Sequence, residues 1–508
     1  LSRGRKIFIA AFVLVVAASV GMRIYKARYA GMTYDETMTF FHYGSNLHNA
    51  LHSYTHTNNH ILNSVMVYWA YQSFRNVEHF VRLPSLAAGI WFVIAASYIV
   101  LKVVKDDVLR VVGLVWAVTV PLVFDYSFMA RGNAMAIAAI YTQIALVIFL
   151  LGHKVDRRFF WVPALLIAVL NFIAFGAMLA SVMTLAAFNM CYCLLYCHFV
   201  VKSGAIAESN SKGGGFRKWL TNTFLNIAVI SAASGGMSYM LYRGVLETAT
   251  GRLGRSATRV EGDQYPDFFG YIYELLGESV FGRGNLPGGI IYAAVILAAL
   301  VGAGFLLWRF FKAVRKPGVI DLASRADGGN LVILVTIVAV ALLFVFNVVL
   351  GRRLAYMRYH LYIIPMFLLS VVIIIERFCA MLRYGAAVRW VRVAAAVLIV
   401  AVIVGNLPSH INILNGSMSI SRPLLVKLKE ADPNKVWKIG FSPKMQYHYM
   451  GFTYYGQFGY RFQLQFQGPP DVMVLKKDEC PEGAVDVDKR FFDKADCAVI
   501  YNRPSTDG

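Results

Sequence analysis

Eleven stretches of mostly apolar residues, each close to 20 long, divide this chain: 7–26, 84–104, 109–126, 133–151, 159–175, 177–200, 218–241, 289–311, 331–350, 359–376 and 391–407. A helix of that length crosses the hydrocarbon core of a bilayer, where the backbone must satisfy its own hydrogen bonds. The chain therefore reads as an all-α polytopic membrane protein of about 11 transmembrane helices. Composition agrees, with 58% hydrophobic and 15% charged residues where a soluble domain carries roughly a quarter charged. A net charge of +21 would suggest nucleic acid in a soluble protein. In a membrane chain it predicts basic cytoplasmic loops instead, and no nucleic-acid partner.

The first run follows Arg3, Arg5 and Lys6, as the apolar part of a signal peptide would. It lacks a convincing small-residue cleavage site and continues into Met22-Arg23-Ile24-Tyr25, so it reads as a retained helix. With the N-terminus inside, the inner loops hold Lys102, Lys105 and Arg110; Lys154, Arg157 and Arg158; Lys202, Lys212, Arg217 and Lys218; Arg309, Lys312, Arg315 and Lys316; and Arg377, Arg383, Arg389 and Arg392. Each of these loops is basic, as the positive-inside rule requires. An odd number of spans then leaves the tail outside. The organisation is a membrane domain over 1–407, with external loops at 27–83 and 242–288, and an external domain over 408–508.

The tail has short β-rich runs, "VWKIGFS", "DVMVLK" and "CAVIYN", separated by Pro, Gly and Asp, a pattern that suits a small α/β domain. Cys480 and Cys497 lie there, where an oxidising compartment would permit a disulfide. Cys191-x-Cys193 has no second pair to complete a metal set. No internal repeat of fixed period is visible, which argues against an inverted-repeat transporter.

Within the first loop, "HILNSVMVYWAYQSF" is too short to span and would invert every later helix if it did. Residues 36–54 and 60–75 are therefore expected to be two helices lying on the outer surface, with the break at Thr57-Asn58-Asn59 supplying N-capping side chains. That break also separates the histidines at four-residue spacing, His48, His52 and His56, from His60.

Two features carry chemistry. "TYDETMTFFHYG" places Asp35 and Glu36 just beyond the first span. Adjacent carboxylates at a membrane surface are costly unless solvated, paired or at work. Asp35 as a helix N-cap is the simpler explanation, and a capping carboxylate can still serve as a base. Second, Arg82, Arg131, Arg352, Arg353 and Arg358 all fall at external helix ends, where positive-inside bias should deplete them. Any one of them could snorkel to lipid headgroups. Five on one side point to an anionic ligand, most simply a phosphate gripped bidentately.

The ordered motifs "YDET", "NNHILNSVMVYWAY", "VRLPSLAAG", "SFMARGN" and "MRYHLYIIP" resemble the GT-C membrane glycosyltransferases, specifically the family 39-like group that includes protein O-mannosyltransferases and lipid A aminoarabinose transferases. The first 150 residues and 352–365 carry the resemblance. It implies a helical bundle with surface helices in the first external loop, a hydrophilic C-terminal domain, and a polyprenyl-phosphate-linked sugar as donor. The acceptor would be an envelope lipid, glycan or protein, and the location a bacterial inner membrane with the site facing the periplasm. The family's acidic motif falls on Asp35-Glu36, its surface-helix motif on Asn58-Asn59-His60, and its arginines on Arg82 and Arg131. Ile61 stands where relatives often have Pro, and Asn133 where Tyr is frequent.

The chemistry this implies is inverting transfer to a hydroxyl. Asp35 would act as general base, with Arg131, Arg352, Arg353 and Arg358 stabilising the leaving phosphate. Glu36 and His60 would position hydroxyls. No cofactor is required; a divalent metal held by His56 and His60 with Asp35 is the lesser alternative. A transporter or flippase, or an O-antigen ligase or polymerase-type transferase, competes with this reading. A transporter would place ionisable groups inside its spans, where Asp125 is the nearest exception.

Overall fold

In a computed structural model of the protein, residues 3–53, 59–75, 77, 79–152, 161–200, 214–249, 264–265, 328–350, 354–355, 361–381, 393, 397, 421–441, 453–454, 456, 460–464, 471–476 and 496–500 are described. Helix α1 (Arg3–Tyr29) precedes the first-loop helices α2 (Tyr34–Thr39), α3 (Leu47–His52) and α4 (Ile61–Phe74). Then come α5 (Leu83–Val103), α6 (Asp107–Thr119), α7 (Pro121–Tyr126), α8 (Asn133–Gly152), α9 (Trp161–Ala177), α10 (Val182–Val200) and α11 (Gly214–Ala249). Strand β1 (Gln264–Tyr265), α12 (Gly328–Phe344), β2 (Leu354–Ala355) and α13 (Ile363–Met381) follow. The tail holds α14 (Ser421–Ala431), β3 (Trp437–Phe441), β4 (Phe462–Leu464), β5 (Val472–Lys476) and β6 (Asp496–Ile500).

Four of the described helical stretches are long and apolar enough to cross a membrane: Gly4–Tyr29, Phe80–Val103, Asn133–Gly152 and Gly328–Val349. Shorter apolar stretches occupy Val162–Ala177 and Val182–Tyr192. The expected span at 109–126 is not one helix. Val120 adopts an extended ψ of 124° ahead of Pro121, splitting the run into α6 and α7, because proline disfavours α conformation in the residue before it. The runs at 289–311 and 391–407 lie outside the described residues, apart from positions 393 and 397. In the apolar core α5 packs on α8 and α1, α8 on α9, and α13 on α6 and α12.

The first loop is helical, as expected, but in more pieces. A π-helical turn at Phe40–Gly44 and a cap at Asn46 separate α2 from α3. Gly44 is required there, since a Cβ would meet Val67 Cγ1 on α4 at 2.6 Å. The cap of α2 is Thr33, not Asp35: its hydroxyl accepts from Glu36 N, and the Glu36 carboxylate accepts from Thr33 N, a complete capping box. The cap of α4 is His60, with no side-chain capping bond. Asn59, expected to cap α4, instead donates to Ala50 O at 3.1 Å and Ser53 O at 2.7 Å, tying down the end of α3.

In the tail, β3, β5 and β6 fall on the three β-rich runs, and β4 joins them in a sheet of order β4-β3-β5-β6. The β3 pairings are parallel and β5–β6 is antiparallel. Leu424, Leu425 and Leu428 of α14 share one apolar cluster with Trp437, Ile439 and Tyr454, and with Phe40, Val67, Phe80 and Ala130 of the membrane part. Tyr454 is fully buried and lies edge-on to Phe40, with centroids 5.8 Å apart.

Candidate active site

Glu36 sits at the third position of α2, and its carboxylate is completely buried. Arg82, in the short turn before α5, meets it from Nε at 2.7 Å and from Nη2 at 2.7 Å. Oε1 also accepts from Ala130 N at 2.9 Å, and Oε2 from Thr33 N at 2.9 Å. Four donors fill the four lone-pair positions of a carboxylate. The remaining N–H groups of Arg82 go to Ala27 O at 3.3 Å, Ala30 O at 2.7 Å and Gly31 O at 2.7 Å, all at or just past the end of α1. All five guanidinium donors are thus engaged. Burial pushes the Glu36 carboxyl up, but Arg82 and the Thr33 and Ala130 amides outweigh it and hold the group below its ordinary range.

Asp35 is placed differently. Its side chain is 25% exposed and receives the Nη1 group of Arg131, which is only 3% exposed. The turn between α7 and α8 thereby engages both carboxylates, Glu36 through the Ala130 amide and Asp35 through the Arg131 side chain. That turn is held from below by residues the sequence motifs did not single out. Asn63 of α4 donates to Ala130 O at 3.3 Å, Ser85 of α5 donates to Arg131 O at 3.0 Å, and Ser85 and Asn63 are bonded to each other at 3.2 Å. Asn63 lies three residues after His60 and Ser85 three after Arg82, so helical spacing from the motifs was the available signal.

Close packing fixes the turn further. A Cβ on Gly132 would collide with the Ala177 carbonyl at the end of α9, and one on Gly89 of α5 with the Ser127 carbonyl. Both glycines are places where backbone meets backbone.

The other expected site residues are spread more widely. His60 and Asn59 are buried at the start of α4, with Ser64 donating to Asn59 Oδ1 at 2.8 Å. Asn133 is buried at the start of α8. Asn58, His56, Arg352, Arg353 and Arg358 lie outside the described residues. Leu354 and Ala355 pair antiparallel with Tyr265 and Gln264. His48 and His52 are exposed and stacked, with centroids 4.5 Å apart. Among the described residues no three His, Cys, Asp or Glu side chains gather as a metal set.

No family model and no curated protein matches the sequence. Some solved structures resemble the chain in fold. ArnT from Cupriavidus metallidurans, in the apo state, is 11% identical with a TM-score of 0.47, covering 93% of this chain and 92% of that one. The oligosaccharyltransferase AglB from Archaeoglobus fulgidus, in complex with an inhibitory peptide and a dolichol-phosphate, is 12% identical with a TM-score of 0.47, covering 91% of this chain. Its apo form gives 10% and 0.46. The chain spans 65% of the archaeal enzyme's length, and at these identities no residue role passes from either protein to this one.

Proposed function

We propose that this protein is an inverting membrane glycosyltransferase that moves a sugar from a polyprenyl-phosphate donor to an acceptor hydroxyl at the outer, periplasmic face of the membrane. The observation that carries this reading is the contrast between the two adjacent carboxylates. Glu36 is saturated and buried with Arg82, so in this reading the pair braces the first loop, in place of the hydroxyl-positioning role expected of Glu36 and the anion contact expected of Arg82. Asp35 keeps a quarter of its side chain open and is oriented by Arg131, the arrangement a general base needs.

In the reaction, the acceptor O–H gives its proton to Asp35 as its oxygen bonds to the anomeric carbon, and the bond from that carbon to the phosphate oxygen breaks. The electron pair leaves with the polyprenyl phosphate. Charge grows on that phosphate, and Arg131, shared between it and Asp35, meets that charge. Arg352, Arg353 and Arg358 complete the clamp from the segment flanking β2. The acceptor is an envelope lipid, glycan or protein.

The test is incubation of the purified protein with a radiolabelled polyprenyl-phosphate sugar and an envelope lipid extract. Label appearing in a covalent product, and lost in Asp35→Asn, supports the reading. Label moved across a vesicle membrane without a new covalent product would replace it with a flippase.

A further inference from the structure

A third buried arginine lies outside the site and has no part in the proposed reaction. Arg23, near the external end of α1, is fully buried. Its Nε donates to Ser127 Oγ at 2.6 Å, Nη2 to Val118 O at 2.8 Å, and Nη1 to Ser19 O at 3.1 Å and to the Ser19 hydroxyl. Val118 O is among the last carbonyls of α6, which have no donor of their own helix ahead of them. Ser127 caps the far end of α7 and itself donates to Phe124 O at 2.5 Å. One guanidinium therefore ties the end of α6 to the C-cap of α7. The Phe124 ring lies under it at 4.4 Å and beside Lys26 at 5.0 Å. Asp125 is buried on the same short helix.

The grip matters because α7 leads into the site. The chain from Ser127 passes directly into the turn that presents the Ala130 amide to Glu36 and the Arg131 guanidinium to Asp35. Burying a guanidinium costs several kcal/mol, and a packed apolar residue often holds two helices together equally well. What the planar fork adds is direction.

We propose that Arg23 is a positioning residue. It acts through Ser127 and Val118 to fix the 127–132 turn, and with it Arg131, in register with Asp35. The kinetic part of this proposal rests on the glycosyl-transfer reading; the structural part does not.

The experiment compares the full-length wild type with Ser127→Ala, Arg23→Lys and Arg23→Gln in detergent. Ser127→Ala removes one link while the guanidinium keeps Ser19 and Val118, so it remains informative if the Arg23 variants do not fold. Amide hydrogen exchange is expected to quicken over 128–132 and to stay unchanged over α4 and the middle of α5. In transfer from a polyprenyl-phosphate sugar, kcat per folded molecule should fall about 10-fold for Ser127→Ala and about 100-fold for Arg23→Gln, the scale of a misplaced catalytic group. The donor KM should stay within about two-fold, since the interaction lost belongs to orientation, with Arg23→Lys intermediate.

Unchanged exchange over 128–132 in Ser127→Ala overturns the proposal, as does an unchanged kcat in folded Ser127→Ala and Arg23→Lys. If the wild type transfers no sugar, the glycosyltransferase reading fails, while the exchange comparison still decides whether Arg23 holds the turn.

Discussion

Asp35 and Glu36 are neighbours in sequence, yet one is a quarter exposed on Arg131 and the other is sealed against Arg82. Consecutive positions on a helix point about 100° apart, so one side chain is partly open to solvent while the next faces the protein. The division of labour comes from that angle, and substitutions at the two positions should fail in different ways.

At Asp35 the failure should be chemical. Asp35→Asn keeps the shape and loses the proton acceptor, so transfer should fall by about 10²- to 10⁴-fold, the usual contribution of general base catalysis. Turnover per folded molecule, with the thermal midpoint measured alongside, checks this. Near-normal turnover would remove Asp35 as the base.

At Glu36 the failure should be one of stability. Removing one partner of a buried ion pair costs about 3–5 kcal/mol because the other charge stays behind, so Glu36→Gln should lower the thermal midpoint sharply. The pH dependence has a definite sign. Glu36 is held below its ordinary value of 4.5, so its contribution is fully present above that value and is lost as pH falls through the depressed one. Wild type should lose stability on the acid side below about pH 4.5 by this route, and Glu36→Gln should lose less there. Thermal melts of both proteins as a function of pH give the comparison.

Glycines divide into two classes. Gly132→Ala and Gly89→Ala would each force a Cβ onto a facing carbonyl, so both should greatly reduce the yield of folded protein. Gly235 and Gly236 in α11 have open space where a Cβ would go, and Ala there should be neutral or stabilising by about 0.5–1 kcal/mol. Monodispersity on size exclusion separates the two classes. Equal tolerance at all four positions would contradict the close crossings.

Tyr454 joins the tail to the first loop and to the turn before α5, edge-on to Phe40 and 6.2 Å from Phe80 between centroids. Tyr454→Ala should cost about 3–5 kcal/mol, as for other buried aromatics, and the loss should appear first as faster proteolysis between α13 and α14. A tail as resistant as in wild type would mean that this ring does not anchor it.

Much of the architecture could be read from residue pattern alone. Hydropathy located the long helices, the β-rich runs located β3, β5 and β6, and the length of the 61–74 stretch kept it out of the membrane count. Motif order brought Asp35, Glu36, Arg82 and Arg131 into one short list. Their pairing was not legible, because which carboxylate meets which arginine depends on the angle at which α2 leaves Thr33. The break at Val120 was signalled by Pro121 but masked by unbroken hydrophobicity across 109–126. Arg23 resembled an ordinary flanking cation, and only its four acceptors, drawn from α1, α6 and the end of α7, distinguish it.

The same contacts impose a schedule on synthesis. Arg23 enters the bilayer with α1, but Val118 and Ser127 lie 95 and 104 residues downstream. At roughly 5–20 residues per second of translation, the first helix waits on the order of 5–20 s with its buried guanidinium still lacking those partners. During that interval it must lie near the interface or be shielded by the insertion machinery. The rate at which α6 and α7 are delivered thus becomes a quality checkpoint for the nascent chain.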